Sequence, residues 1–481
     1  MYLDSRGLPT TASSEASVDA FDEIVFAYLG ARRDTLERAS RLSDSDPACV
    51  LAHALVGYLL MHACKLESAQ CAKDALLRAR TAADQHGATL RERLHVEALE
   101  AWMEGRHTHA RDRWEAILRD WPLDVLALRL AQFMTSYLGD SRGIRDSVAR
   151  VFSAWNERSS GFGFVLGCYA YGLEEAGEYK QAEQFGRRAI GLNPSDLWAA
   201  HAVTHVMEMD GRPRQGISWL DDMQRHWNGC NNFVLHLSWH RCLFHLALSD
   251  YDAVLACYDR EVRAESTDEY LDIANAASLL WRLEQADINV GSRWDELAAR
   301  SSAHRDDHFF VFADLHYLLP LAAKAPAEAD EFVHSCERLA EEKGGTQALV
   351  MHEVGLAVAR ALLCHRRRAY AEATELFRPV QPYFHRIGGS HAQRDTFDQL
   401  LIDSALRAGN YDLARALLMQ RSERRPHDLW NWRTLATVFA AVNETEAAKN
   451  ATDRFESLME RDRSLSGSFA SGNTNNPGVS Q

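Results

Sequence analysis

The chain has 481 residues and a mass of 54.2 kDa, more than one ordinary globular core supports, so the sequence predicts several domains or an array of repeats. A net charge of −15 without a dense basic cluster argues against a nucleic-acid-binding surface. No segment approaches the roughly 18 consecutive apolar residues of a membrane span, and the polar N-terminus has no signal-peptide apolar region. We therefore expect neither nucleic acid nor a membrane as a partner.

The cysteines favour a reducing compartment. All nine lie outside Cys-x-x-Cys pairs, and most are embedded in apolar helical segments. This usage is typical of buried, reduced thiols. The sequence therefore predicts a cytoplasmic protein.

The segment 177–211 has the pattern of a tetratricopeptide unit, a helix pair of about 34 residues. Gly211 follows Gly177 by 34 residues. Weaker copies lie at 105–124, 249–262 and 409–428. The unit has a helix stop, a packing aromatic, two small contact residues and a turn proline at Gly177, Tyr179, Ala182, Ala189 and Pro194.

The rest of the chain is consistent with the same architecture. Amphipathic segments fill the space between the copies, and together they predict roughly two dozen helices. No segment has the period-2 alternation of a strand. We therefore predict an all-α fold, a tetratricopeptide-type α-solenoid over residues 17–463. Residues 1–16 are expected to form an extended lead, and residues 464–481, rich in Ser, Gly and Asn, a disordered tail.

Histidine is concentrated between residues 201 and 245, which hold six of the 21. His201, His205 and Glu208 are spaced i, i+4, i+7, so they lie in a row on one helix face. His236 and His240 form a second row two helices later. Because first helices of adjacent units lie side by side in such stacks, the two rows could face a single site.

Three interpretations of these rows stay open. Imidazoles with a carboxylate suit a divalent transition metal (Zn, Fe, Mn or Ni), with His201, His205, Glu208, His236 and His240 as ligands. The same side chains could instead bind a small molecule or peptide in a metal-free groove. They could also form an internal polar network. The spacing matches no recognised zinc signature.

Further candidates lie in two later helices. The segment 304–319 carries His308, Asp314 and His316, with solvated or satisfied histidines as the alternative. Arg394 and Asp395 follow a cap-like serine, and they form either a salt bridge or a carboxylate clamp. His95, on an otherwise apolar face, is expected to be a hydrogen-bonded core residue.

The order of these landmarks resembles the tetratricopeptide repeat protein 38 family from about residue 4 to residue 420. The resemblance implies an α-solenoid in which the candidate residues belong to the family pattern, but this family has no settled biochemical function. The family commonly has Asn where this chain has His391. The matching stretches include RERLHVEALEAW (91–102), NPSDLWAAHAVTHVMEM (193–209), RWDELAARSSAHRDDHFFVFADLHYLL (293–319) and GGSHAQRDTFDQLLIDSAL (388–406).

Tetratricopeptide helices present fixed positions to the concave groove of the solenoid. Counted from Leu197, His201, His205 and Glu208 take positions 5, 9 and 12, which face that groove. We therefore expect a histidine- and glutamate-lined concave groove that solvent can reach.

Two functions follow from this groove. The first is binding of a small ligand or peptide, and the alternative is a metal-dependent enzyme. Glu208, His308 and Asp314 are the candidate catalytic residues. The candidate ligand contacts are His201, His205, His236, His240, His316, Arg394 and Asp395. Whether the chain forms a homo-oligomer stays open.

Overall fold

The computed structural model describes residues 1–342 and 344–472, with side chains up to residue 466. In this part the chain forms 25 α-helices and one antiparallel pair of two-residue strands, β1 (Tyr2–Leu3) and β2 (Pro9–Thr10). The predicted all-α solenoid of stacked helix pairs is confirmed.

The helices follow one another with short connections. The first ten are α1 (Glu15–Leu29), α2 (Thr35–Ser45), α3 (Val50–His62), α4 (Leu66–His86), α5 (Leu90–Met103), α6 (His107–Asp120), α7 (Val125–Tyr137), α8 (Ser141–Val151), α9 (Phe162–Glu175) and α10 (Tyr179–Leu192). The next eight are α11 (Leu197–Met209), α12 (Pro213–Gln224), α13 (Phe233–Ala247), α14 (Tyr251–Cys257), α15 (Tyr270–Gln285), α16 (Arg293–Ser302), α17 (Val311–Lys324) and α18 (Pro326–Glu341). The last seven are α19 (Thr346–Val350), α20 (Leu356–Arg366), α21 (Tyr370–Phe377), α22 (His391–Arg407), α23 (Tyr411–Arg424), α24 (Leu429–Ala441) and α25 (Thr445–Gly472).

The helices divide into an inner and an outer layer. On α10 only Ala182, Gly186, Ala189 and Ile190 are buried, a single stripe that packs inward. On α11, by contrast, 11 of the 13 residues are buried. A helix buried on all sides lies between neighbours, so α11 belongs to the inner layer and α10 to the outer one.

The unit boundaries identified in the sequence fall at helix ends. Gly177 and Gly211 have φ values of 85° and 63°, in the left-handed region that glycine adopts without strain. Gly211 also allows a close approach, because a Cβ there would lie 2.3 Å from the carbonyl oxygen of His427. The C-terminal helices therefore pack directly on the end of α11.

Contacts between distant parts of the chain close the superhelix on itself. The loop after α1 pairs with the loop before α13, and α25 packs on α12. In this closed arrangement the histidines expected on the concave face, His201, His205, His236 and His240, are buried. The joining contacts include Arg32 Nη1 to Asn228 O at 2.7 Å, Lys65 Nζ to Asp268 Oδ2 at 2.9 Å, Thr346 N to Gly105 O at 2.8 Å and Arg214 Nη1 to Asp462 Oδ2 at 2.5 Å.

The two ends of the chain differ in detail from the expectation. Residues 1–16 form the β1–β2 hairpin and the start of α1, and Thr11 N donates to Glu92 Oε1 at 2.7 Å, so the lead is held against α5. Helix α25 continues past Ser464 to Gly472. The remainder of the predicted tail, 473–481, lies outside the described residues. The domain division as a whole stays a prediction.

One helical stretch, Thr346–Arg366, is long and apolar enough to cross a membrane, with a mean hydropathy of 1.4. Of that window, 56% is buried inside the fold, where it packs against α17 and α18. A core helix of a globular fold meets the same criteria, so length and composition do not make this stretch a membrane span.

Candidate functional site

Four histidines from the inner helices α11 and α13 converge on one point. One ring nitrogen of each lies within 4.8 Å of a ring nitrogen of every other, and all four residues are at most 3% exposed. The Nε2 atoms of His201 and His236 are 3.0 Å apart. The two predicted rows therefore meet, and we call His201, His205, His236 and His240 the histidine cluster.

Neighbouring side chains hold three of these imidazoles from behind. A hydrogen bond at Nδ1 fixes the tautomer and leaves the Nε2 lone pair facing the centre of the cluster. The Nδ1 donors and their acceptors are His205 with Glu174 Oε2 at 3.1 Å, His240 with Glu208 Oε2 at 3.0 Å and His236 with Asn275 Oδ1 at 3.3 Å.

The centre of the cluster has unsatisfied nitrogens. Nε2 of His205 and Nε2 of His240 are buried without a hydrogen-bond partner, as is Nδ1 of His201. Burial of an unpaired polar atom costs about 1–3 kcal/mol, so several in one place call for an explanation. Nitrogens bound to one metal ion at about 2.1 Å lie within about 4.2 Å of one another, close to the spacing here. The donor set and its geometry fit a transition-metal ion.

The electrostatics keep most of the cluster in the form that binds metal. Burial, together with the charge of neighbouring imidazoles, holds the pKa of His201, His236 and His240 well below the ordinary value. Burial also opposes a charge on His205, but Glu174 more than offsets it and raises the pKa of His205. Three of the four imidazoles are therefore neutral near pH 7, with a lone pair available.

Glu208 does not have the position expected of a metal ligand. It lies outside the histidine cluster, with Oε2 on His240 and Oε1 accepting from Arg425 Nη1 at 3.3 Å. The row spacing placed it on the correct face, but it is one turn further along α11 than the cluster. Its geometry is that of a group that orients an imidazole.

Glu174 is the counterpart of Glu208 on His205, and it was not predicted from the sequence. Glu174 is fully buried near the end of α9, and its Oε1 is 3.4 Å from His391 Nε2. Burial alone would raise the pKa of Glu174, but His391 and His205 lower it, so the carboxylate stays ionised. The available signal was an acidic pair, Glu174 and Glu175, at the end of an otherwise apolar inner helix.

The expectation of a solvent-reachable groove is corrected by the closure of the superhelix. The cluster is buried, and two of its members, His201 and His236, border a cavity. This aromatic cavity has a volume of about 440 Å³, a size suited to a small ligand. Its rim includes Arg33 and Leu36, which are exposed. Its walls include Tyr28, Phe133, Tyr137, Tyr171, Trp198, Phe233 and Tyr270.

A second cavity, of about 460 Å³, lies on the other side of Glu208. Arg282, Arg425 and Arg433 line it, and we call it the arginine cavity. Asp395 and Asp428 line it as well, so its charges are largely balanced. Glu208, which accepts from His240, thus connects the histidine cluster to this charged cavity.

Asp395 and Arg394 have structural partners. Arg421 donates to both carboxylate oxygens of Asp395, at 2.9 and 2.8 Å. Burial alone would raise the pKa of Asp395, but Arg421 and Arg425 lower it. Arg394 donates to the Gly389 carbonyl and lies 3.7 Å from Glu175. Asp395 therefore forms its salt bridge with Arg421 and not, as the sequence suggested, with the neighbouring Arg394.

His308 and Asp314 form a separate group. His308 Nδ1 is 3.2 Å from Asp314 Oδ2, and His308 Nε2 is 2.8 Å from Ser335 Oγ. This order of atoms resembles a hydrolase triad, but Ser335 is 3% exposed and its hydroxyl also donates to Asp306. None of these contacts reaches the histidine cluster.

The contacts of His316 are those of a buried core residue. Its Nδ1 donates to the Phe312 carbonyl at 2.7 Å, and its ring packs edge-on against Phe397. Burial lowers its pKa to about 4, so it is neutral at physiological pH.

No protein-family model matches the chain. Among solved structures, a human IFIT1 dimer with m7Gppp-AAAA aligns with 93% of this chain and 95% of its own, at 12% identity and a TM-score of 0.39. Yeast Tom70 aligns with 91% of this chain and 88% of its own, at 13% identity and a TM-score of 0.35. Both are helical solenoids of tetratricopeptide type. The likeness is loose, and it carries no inference about ligands.

Proposed function

We propose that this solenoid is a metalloprotein in which the histidine cluster binds one divalent transition-metal ion beside the aromatic cavity, where a small ligand binds. The observation that carries the proposal is the set of four ring nitrogens within 4.8 Å of one another, in a cluster where Nε2 of His205 and Nε2 of His240 are buried without a hydrogen-bond partner. An all-imidazole set favours Zn, Fe or Ni over Mn, which prefers carboxylate oxygens.

The test is metal analysis of protein purified without an affinity tag. We expect about one ion per chain, and loss of that ion in a His201→Ala, His240→Ala double variant. The matched control is His53→Ala, since His53 is buried but both of its ring nitrogens are paired, with Ser43 Oγ at 2.6 Å and Pro47 O at 3.1 Å. Protein that neither contains metal nor takes up zinc, iron or nickel would refute the proposal.

Metal-dependent catalysis is a second candidate, favoured by the cavity that reaches only one side of the cluster. A bound ion would supply Lewis-acid chemistry to a ligand in that cavity. The chain's own contribution would be to exclude water with the aromatic walls and to orient His205 and His240 through Glu174 and Glu208. His308 and Asp314 have no place in this site.

The remaining proposals concern the ligand, the family and the cellular location of the protein. We propose a small molecule as ligand, ahead of a peptide, because the cavity is lined by aromatic side chains and has a volume of about 440 Å³. We further propose membership of the tetratricopeptide repeat protein 38 family, which is supported by the matching stretches quoted above. A cytoplasmic location is supported by the nine cysteines, all of which are free thiols.

A further inference from the structure

Arg129, on the inner helix α7, brings an unpaired positive charge to the aromatic cavity. Its Nη1 atom is buried and has no hydrogen-bond partner. Among the described residues, no ion pair links its guanidinium to a carboxylate. The guanidinium stacks over the Trp198 ring, 3.6 Å from the centroid, so its position is fixed by an aromatic surface.

Other arginines with a buried unpartnered nitrogen have a counter-charge. Each of them forms an ion pair with an Asp or Glu through another nitrogen. Arg129, a half-buried side chain with its Nη1 atom buried, is the exception in this set. A cation that is removed from water in part and forms no ion pair is costly to the fold. These paired arginines are Arg6, Arg91, Arg212, Arg241 and Arg263.

The acidic group Asp196 lies near Arg129 but forms no ion pair with it. Asp196 is close enough to feel its charge, but the Oδ1 atom of Asp196 caps α11 by accepting from Trp198 N and Ala199 N, both at 3.0 Å. No Asp196–Arg129 contact falls within ion-pair distance, and Asp196 Oδ2 has no hydrogen-bond partner. Arg129 therefore keeps its donors free for another acceptor.

The other residues around Arg129 indicate what kind of ligand would accept from its guanidinium. Seven aromatic side chains form the cavity walls, and the indole Nε1 of Trp198 is a second buried donor without a partner. His201 and His236 of the histidine cluster border the same space. One fixed cation, one free indole donor and aromatic walls together favour a singly charged anion with an apolar body.

We propose that the aromatic cavity binds a small organic carboxylate with an aromatic or similarly apolar body. The carboxylate accepts hydrogen bonds from the Arg129 guanidinium, which has the planar fork geometry that matches two carboxylate oxygens. The body packs on the aromatic walls. The contact between the carboxylate and Arg129 does not depend on a bound metal. Only the position of the ligand beside a metal rests on the proposed function.

The experiment compares benzoate, its neutral analogue benzamide and phenyl phosphate, titrated calorimetrically into the full chain. We expect benzoate to bind at least about 10-fold more tightly than benzamide, which corresponds to one charge-assisted contact. Arg129→Gln should remove this preference, and Arg129→Lys should keep part of it. The control is Arg282→Gln, a buried arginine that lines the arginine cavity, which should leave the preference unchanged.

Thermal unfolding of the variants distinguishes a loss of binding from a loss of the fold. Because Arg129 forms no ion pair that the change could break, Arg129→Gln should unfold at about the same temperature as the wild type or higher. Equal binding of benzoate and benzamide, binding of neither, or undiminished benzoate binding by Arg129→Gln would overturn the proposal. Phenyl phosphate binding about 10-fold more tightly than benzoate would replace the carboxylate with a phosphate.

The same titrations separate this proposal from the metal site. Benzoate binding that persists after treatment with a chelator and still depends on Arg129 supports the carboxylate site without metal. If the protein takes up no metal but prefers benzoate, only the proposed function fails. If it contains metal but does not discriminate benzoate from benzamide, only the carboxylate site fails.

Discussion

Two buried sites in the solenoid contain histidines whose ring nitrogens are hydrogen-bonded to different extents. The first site, which we call the N-terminal network, consists of Tyr58, Arg91, His95 and Asp124. There, His95 Nδ1 lies 3.3 Å from Tyr58 Oη and His95 Nε2 lies 3.2 Å from Asp124 Oδ2. Arg91 donates to the same carboxylate at 2.7 Å. Both nitrogens of this histidine have partners, as expected for a core residue.

In the histidine cluster, by contrast, protein partners occupy only the outer nitrogens of His205 and His240. The two groups are equally buried, so burial does not distinguish them. What distinguishes them is whether the histidine nitrogens have partners. A fully paired imidazole stabilises the fold, whereas converging unpaired imidazole nitrogens indicate a binding site.

The largest effect on folding should come from Asp124→Ala. This change leaves the Arg91 guanidinium buried without its carboxylate and removes the cap that accepts from Ala127 N. We expect the free energy of unfolding to fall by about 3–5 kcal/mol, measured by urea unfolding followed by circular dichroism. Asp44→Ala, which breaks the exposed pair with Arg78, should cost less than about 1 kcal/mol. Equal costs would contradict the distinction.

His240→Ala should behave in the opposite way. In metal-free protein we expect a smaller loss of stability than for Asp124→Ala. The change leaves a cavity and removes the hydrogen bond to Glu208, but it strands no buried charge, and Nε2 of His240 has no partner to lose. Metal affinity should fall by more than about 100-fold, beyond the loss typical of groups that only orient a ligand. Added zinc should therefore raise the unfolding temperature of the wild type but not of the variant. A zinc-induced shift that survives in the variant would argue against the cluster.

Glu208→Gln should have an intermediate effect. An amide oxygen can still accept from His240 Nδ1 but lacks the charge that strengthens the imidazole as a ligand. We expect a 10- to 100-fold loss of metal affinity, measured by competition with a chelating dye, without loss of fold. Glu183→Gln is the control, since Glu183 pairs with Arg212 outside the cluster. A full loss of metal in Glu208→Gln alone would indicate direct ligation.

The smallest effect is a pH dependence confined to the N-terminal network. Burial alone would raise the pKa of Asp124, but His95 and Arg91 lower it below the ordinary value. The resulting stabilisation is present above the unfolded pKa of about 4 and is lost as the pH falls through the depressed folded value. The stability difference between wild type and Asp124→Asn should therefore narrow below about pH 4 in urea titrations. A difference that stays constant to pH 2 would contradict this assignment.

The sequence predicted the fold and the pairing of the two histidine rows because both depend on local periodicity. Residues spaced i, i+4 must share a helix face, and inner helices of adjacent units must be neighbours. The orienting side chains could not be predicted in this way. Glu174 and Asn275 come from α9 and α15, and their contacts with the cluster depend on how far each helix pair rotates against the next.

The burial of the site was also beyond the sequence. It results from contacts between residues about 200 positions apart, such as Arg32 with Asn228. No local pattern marks such a pair. Arg129 was missed for a related reason, because a lone arginine in an apolar helix has the same local pattern with or without a counter-charge in the fold.

The closure of the superhelix has a consequence for how this protein can evolve. An open solenoid tolerates the gain or loss of a repeat, since each unit contacts only its neighbours. Here the contact of Gly211 with His427 and the ion pair of Arg214 with Asp462 fix the register between the middle and the end of the array. Inserting or deleting one helix pair between them would move these partners apart and open the interior. The number of repeats is therefore constrained, and we expect natural variation in length to fall in surface loops.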